Sequence, residues 1–223
     1  MVFLLLSTCL GFLPGERLEY DVRYGPVNLG TLELRALAPE TIAGVECRHM
    51  QAELELTSAL TWLFWARYEF ESWATPDSMI TLRSRKRTRE TNYRADWTAD
   101  FDRQAGLVRY SDGAKLPVPP GSRDLLTLWF WFRECPLEPG RKMATSAHVD
   151  RRNYRVEAIP TRHPDVRTRA GTFDCIVVTP TTTGPLGTVF LADRPDRIPV
   201  VIRTQVAGLT VSAMLRRVVR GKE

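Results

Sequence analysis

The sequence predicts an all-β, mainly antiparallel protein: a single curved sheet or half-barrel of about ten to eleven strands wrapping one apolar helix at residues 122–133. Three observations carry this expectation. Apolar and polar residues alternate with period two along most of the chain. Gly, Pro and Asp breakers separate the alternating runs at short intervals. One aromatic-rich segment between prolines has the length and flanks of a helix instead.

The strands follow in order. Leu18, Tyr20, Val22 and Tyr24 alternate with Glu19, Asp21 and Arg23, the pattern of a strand with one wet face. Gly25-Pro26 breaks the run, and Leu32, Leu34 and Ala36 resume it against Thr31, Glu33 and Arg35. Met50, Ala52, Leu54 and Leu56 oppose Gln51, Glu53 and Glu55, and Tyr68 and Phe70 alternate with Arg67, Glu69 and Glu71. Tyr93, Ala95, Trp97, Ala99 and Phe101 form a longer apolar face. Runs at 154–159, 172–179, 187–192, 198–206 and 209–219 have the same character. No internal repeat or low-complexity linker divides them, so residues 14–223 read as one curved β-sheet domain.

The helix is expected over Ser122–Arg133, after a Pro-Pro-Gly breaker and before Pro136. Ser122 is a good N-cap, and Asp124 favours the positive end of a helix dipole. Seven of the nine residues from Asp124 to Phe132 are apolar, which demands enclosure on nearly every side. The concave face of a curved sheet would provide it; a continuous buried strand is the competing reading. The cluster LTWLFW at 60–65 reads either as core or lid, or as an exposed contact surface.

Composition is that of an ordinary folded chain. The 223 residues are 43% apolar and 26% charged, which excludes collagen, a coiled coil, a disordered tail and a multi-span membrane protein. A body this long buries about 70% of its unfolded surface and needs no metal or disulfide staple. The net charge of +5 tilts toward anionic partners without requiring nucleic acid. Residues 1–13 form a partial, signal-like apolar segment: Val2 to Leu13 carry no charge, too few residues for a membrane span and without a basic start or A-x-A site. A strand or terminus packed on the core is the alternative. Leu6-Ser7-Thr8-Cys9 loosely resembles a lipoprotein cleavage box, although Thr8 is not the small residue such boxes prefer.

Chemistry-bearing motifs are sparse. There is no G-x-S-x-G elbow, phosphate-binding loop, H-E-x-x-H or dinucleotide fingerprint. Cys9, Cys47, Cys135 and Cys175 make no C-x-x-C pair, and His49, His148 and His163 lack ligand spacing, so no metal or other cofactor is expected. Cys47 and Cys175 read as buried thiols, with a cross-sheet bridge as the exported alternative. Cys47 and His49 share a strand face, yet no third orienting group accompanies them. Glu69 and Glu71, and Asp193 and Asp196, read as solvated faces and turn chemistry. Arg83, Arg85, Arg87 and Arg89 place four guanidinium groups on one side of a strand, either a solvated face or a surface for anionic headgroups. Tyr93 and Trp97 point away from that stripe, which argues against nucleic acid.

Several stretches together resemble one family. They are Pro14–Tyr24 with Gly30, Arg67–Trp73, Asp124-Leu-Leu with Pro136–Gly140, Arg169–Cys175 and Asp193–Val200. In order and spacing the chain resembles the uncharacterised bacterial domain of unknown function 3108 family from Pro14 onward. The resemblance implies an exported, periplasmic or cell-envelope protein with a curved antiparallel sheet, similar to the half-barrels of lipoprotein carriers. It implies no reaction and no catalytic residue.

The expected function is therefore non-enzymatic: an envelope protein binding a lipid or other apolar molecule on the concave face of its sheet. Tyr93, Trp97, Leu126, Trp129 and Phe130 are expected to line the site, with Arg85 and Arg87 meeting an anionic headgroup. The alternative is an envelope scaffold or assembly factor with a filled core, acting through a protein partner. A hydrolase or transferase using Cys47 or unrecognised acids is a third reading.

Overall fold

The computed structural model describes residues 12–56, 65–182, 185–206 and 209–221. Most of the signal-like segment with Cys9, and the LTWLFW cluster up to Phe64, lie outside these residues. Eight strands precede the helix: β1 (Arg17–Tyr24), β2 (Val27–Ile42), β3 (Val45–Leu56), β4 (Ala66–Ala74), β5 (Thr81–Glu90), β6 (Arg94–Asp102), β7 (Leu107–Tyr110) and β8 (Lys115–Pro117). Helix α1 (Leu125–Glu134) is followed by β9 (Met143–Val149) and β10 (Arg152–Ala158), which pair with each other. The chain ends in β11 (Thr161–Thr168), β12 (Gly171–Val178), β13 (Thr188–Ala192), β14 (Pro199–Val206) and β15 (Leu209–Val219).

Thirteen of these strands form one large, curved, unclosed antiparallel sheet in the order β11-β12-β13-β14-β15-β1-β2-β3-β4-β5-β6-β7-β8. Two meanders are thus joined where the first strand pairs with the last, from Arg17 opposite Val219 to Arg23 opposite Ser212. Register shifts leave extra residues in β2, β5, β11, β14 and β15, and each such bulge adds local twist and bend. At Gly30, where β2 crosses close to β3, φ is +155° and a Cβ would lie 1.9 Å from the Glu55 carbonyl oxygen. Only glycine fits that approach.

The all-β class holds, but the strand count exceeds the expected ten to eleven. The strands without a signal are β7, β8, β9 and β11. Two are very short, and β11 is an edge strand exposed along most of its length, so burial imposes no alternation on it. Its Pro164 and charged side chains suit an unpaired edge.

The helix starts later than the expected Ser122. Arg123 is held extended against β9, its N–H donating to the Ser146 carbonyl at 3.1 Å and its carbonyl accepting from His148 N at 2.8 Å. Asp124 therefore becomes the N-cap, its Oδ1 accepting from Thr127 N at 2.7 Å. Helix α1 lies on the inner face of the sheet, against β3, β4 and β9. Leu126, Leu128, Trp129, Phe130 and Phe132 are all buried with the even-numbered side chains of β1, β2 and β3. The enclosure demanded by an all-round apolar helix is met.

At the end of α1, Arg133 has a fully buried side chain. Its guanidinium forms a two-pronged pair with Glu16, with Nη2 to Oε2 at 3.1 Å, and also donates to the Asp196 carbonyl at 3.1 and 3.3 Å. One side chain ties the helix to the start of β1 and to the DRPDR turn.

A candidate ligand cavity between the helix and the sheet

A cavity of about 300 Å³ opens between the first turns of α1 and the inner face of β3–β6. Strand register builds its wall. Ala52 pairs with Phe70, Phe70 with Lys86, and Lys86 with Trp97, so these four side chains form one inward-facing row across β3, β4, β5 and β6. A second row brings Leu54 opposite Tyr68. Helix α1 contributes Leu125, Leu126 and Trp129, and the β9–β10 turn contributes Val149 and Asp150. An apolar extension of about 70 Å³ continues toward Val22, Leu32, Ile202, Val211 and Ala213. Leu54, Tyr68, Phe70 and Leu125 are only half-buried although they belong to the core face, because the cavity replaces the neighbours that would cover them.

The polar groups around the cavity are mostly satisfied by each other. Asp124 Oδ2 accepts from Ser72 Oγ at 2.6 Å, and burial pushes the Asp124 carboxyl above the usual range against these hydrogen bonds. His148 is buried between Tyr110 and Asn153, at 2.7 Å from the Tyr110 hydroxyl through Nε2 and 2.6 Å from Asn153 Oδ1 through Nδ1. Asn153 Nδ2 donates to the Pro117 carbonyl, which assigns its Oδ1 as acceptor. His148 therefore carries its proton on Nδ1, and the Tyr110 hydroxyl donates to Nε2. Burial holds the imidazole pKa below its ordinary value and pushes Tyr110 up to about 12. The Lys86 ammonium donates to Asp150 Oδ1 at 2.6 Å and lies 5.5 Å from the centre of the Phe70 ring.

The expected lining residues separate into three groups. Trp97, Leu126 and Trp129 line the cavity. Tyr93 is 56% exposed and lines an adjoining recess of about 210 Å³ that shares Lys86, Trp97 and Asp150 with the cavity. Phe130 points elsewhere, packing edge-on against Phe12 with ring centroids 4.4 Å apart. Arg85 borders the cavity, but its Nε and Nη2 donate to Asp96 at 3.3 and 3.2 Å. Arg87 is held by Asp96 and Glu69 at 3.2 and 3.4 Å.

Those pairs belong to a belt of ions on the outer face. It runs Arg217–Glu19–Arg17–Glu33–Arg35–Glu53–Arg67–Glu69–Arg87–Asp96–Arg85 across β15 and β1 to β6. With Arg83 paired to Asp100 at 2.6 Å, three of the four stripe arginines are held by acidic neighbours. The cation facing inward is Lys86, which the sequence reading did not single out. Its signal was present: in Arg83-Ser-Arg-Lys-Arg-Thr-Arg89, period two puts Ser84, Lys86 and Thr88 opposite the arginines. Tyr110, His148 and Asp150 carried no comparable signal, since β7 and the β9–β10 turn reach the cavity only through tertiary packing.

The remaining reactive groups are poorly placed for chemistry. Cys47 and Cys175 are buried free thiols, and Cys135 is buried at the end of α1. Burial pushes Cys47 and Cys175 above the ordinary thiol range, the opposite of an activated nucleophile. His49 stacks on Trp73 with centroids 4.5 Å apart, facing Glu40 and Glu71 on the outer side of the sheet. Asp196 pairs with Arg194 and Arg220 at 2.7 and 2.8 Å. Among the described residues no cluster of three or more His, Cys, Asp or Glu could hold a metal, and no helix is long and apolar enough to cross a membrane.

A family model described as "Protein of unknown function (DUF3108)" matches residues 19–215. The chain belongs to this family. A search of curated proteins finds no match to this DUF3108 chain. Among solved structures, it is similar to a beta-barrel-like protein of domain of unknown function DUF1849 from Brucella abortus, with TM-score 0.60 and 11% identity over 95% of this chain and 100% of that one. A DUF1089 family protein from Pseudomonas aeruginosa matches with TM-score 0.46 and 12% identity, over 77% of this chain and 88% of the other. At such identity the Brucella likeness supports the fold of this DUF3108 member and nothing more.

Proposed function

We propose that this DUF3108 protein is a non-enzymatic protein of the bacterial cell envelope that holds a lipid or other apolar molecule between α1 and the inner face of its sheet, with residues 14–223 acting as one domain. The observation that carries the reading is the cavity of about 300 Å³ beside Trp97, Leu126 and Trp129, with its apolar extension of about 70 Å³. Its size and mostly apolar wall surface match small-molecule sites. The apolar stretch Val2–Leu13 supports export. The raised thiols and mutually satisfied polar groups support binding over catalysis.

Native mass spectrometry after gentle purification tests this. A retained lipid or fatty-acid mass, or uptake of one on addition, is the expected result. Recovery of empty protein that takes up neither overturns the reading.

The scaffold alternative is favoured by Phe130 and Phe132, which fill the space behind the helix as ordinary core. On that reading Leu125, Leu126 and Trp129 are packing residues as well, and the protein stays empty in the same experiment.

A further inference from the structure

We propose that the cavity takes a single-chain amphiphile with an acidic head, and that Lys86 recognises this head by exchanging Asp150 for it. The inference rests on the ligand-holding reading above and names its ligand class.

Lys86 is the charged member of the inward row Ala52–Phe70–Lys86–Trp97. A lysine in that position lays its stem along apolar surface and presents its ammonium at the edge. The ammonium has three donors, and Asp150 is its hydrogen-bond partner among the described residues. The other cation bordering the cavity, Arg85, is committed to Asp96 on the outer face. Asp124 also borders the cavity, but its two oxygens are taken by Ser72 and Thr127. An acidic head therefore finds one available cationic partner there.

Asp150 is built to be exchanged. It sits at the tip of the β9–β10 hairpin with φ at +46°, and its side chain is 50% exposed. A half-exposed carboxylate returns to water at little cost, so swapping it for another acid is close to neutral. Burial of the alkyl chain then drives binding. The volume is at the bottom of the range for small-molecule sites, and the apolar extension past Trp129 is narrow, which suits one chain and not two.

The test titrates the full chain with dodecanoate, dodecyl phosphate and dodecanol, following the fluorescence of the cavity tryptophans and confirming by calorimetry. At least one acidic probe is expected to bind about tenfold or more tighter than dodecanol. Lys86→Gln removes that advantage, weakening the acidic probes about tenfold or more relative to dodecanol. Asp150→Asn, which frees the ammonium, strengthens the acidic probes and leaves dodecanol unchanged. Which acidic probe binds tighter separates a free carboxylate from a phosphate head. Equal loss of all three probes in Lys86→Gln, or indifference of the acidic probes to Asp150→Asn, overturns the role of Lys86 while the cavity reading survives. Failure of all three to bind the unaltered protein overturns both.

Discussion

Replacing Arg133 by Met removes the one cation that is wholly enclosed at the end of α1. Four donor contacts disappear with it: two to Glu16 and two to the Asp196 carbonyl. Glu16 is itself buried, so its carboxylate is left without a counter-charge, and the DRPDR turn loses its anchor to the helix. Breaking a buried pair by removing one member costs about 3–5 kcal/mol. For a chain of this size each kcal/mol lowers Tm by about 2–4 °C, so Arg133→Met should melt about 6–20 °C lower. Replacing both members, as Glu16→Leu with Arg133→Met, takes the stranded charge away and should recover most of the loss. Thermal unfolding by circular dichroism, with urea titration as a check on cooperativity, measures both variants. A single variant within about 1 kcal/mol of the parent, or a double variant no better than the single, would refute this account.

Two further perturbations have signs fixed by the structure. Burial depresses the pKa of both His49 and His148, so the folded protein binds fewer protons there than the unfolded chain. Their contribution is fully present above the unfolded value of about 6.5 and fades as pH falls below it. Tm should decline from pH 7 to pH 5, and the decline should be shallower in His49→Gln with His148→Gln; an unchanged slope in the double variant counts against it. Asp124→Ala removes the helix cap and strands the Ser72 hydroxyl, a loss of about 1–2 kcal/mol, whereas Asp124→Asn keeps an acceptor for Thr127 and should lose less. Equal destabilisation by the two substitutions in denaturant titration would show that the cap does not matter.

Much of the sheet was legible because burial on one face writes itself into the sequence. Leu18, Tyr20 and Val22, or Met50, Ala52 and Leu54, alternate because their other face meets the ion belt. Strand β11 gave no such signal, being an exposed edge with nothing to exclude water from either side. The start of α1 departs from its local signal for a different reason: Ser122 has the right chemistry, but the β9 hairpin holds Arg123 extended, through a contact between residues apart in sequence. The site was legible by half. Trp97 and the helix residues follow from their patterns. Lys86 was hidden inside a run of arginines, where attention to charge concealed its parity. Asp150 and His148 depend on where a hairpin lands, which no local pattern encodes.

The seam between β1 and β15 makes assembly a late event. Arg17 cannot meet Val219 until nearly the whole chain is available, and contacts of such wide separation form slowly. Until then β1 has only β2 beside it in the sheet. A chain still emerging from a ribosome therefore cannot complete its central seam, so the sheet is finished only when β15 arrives.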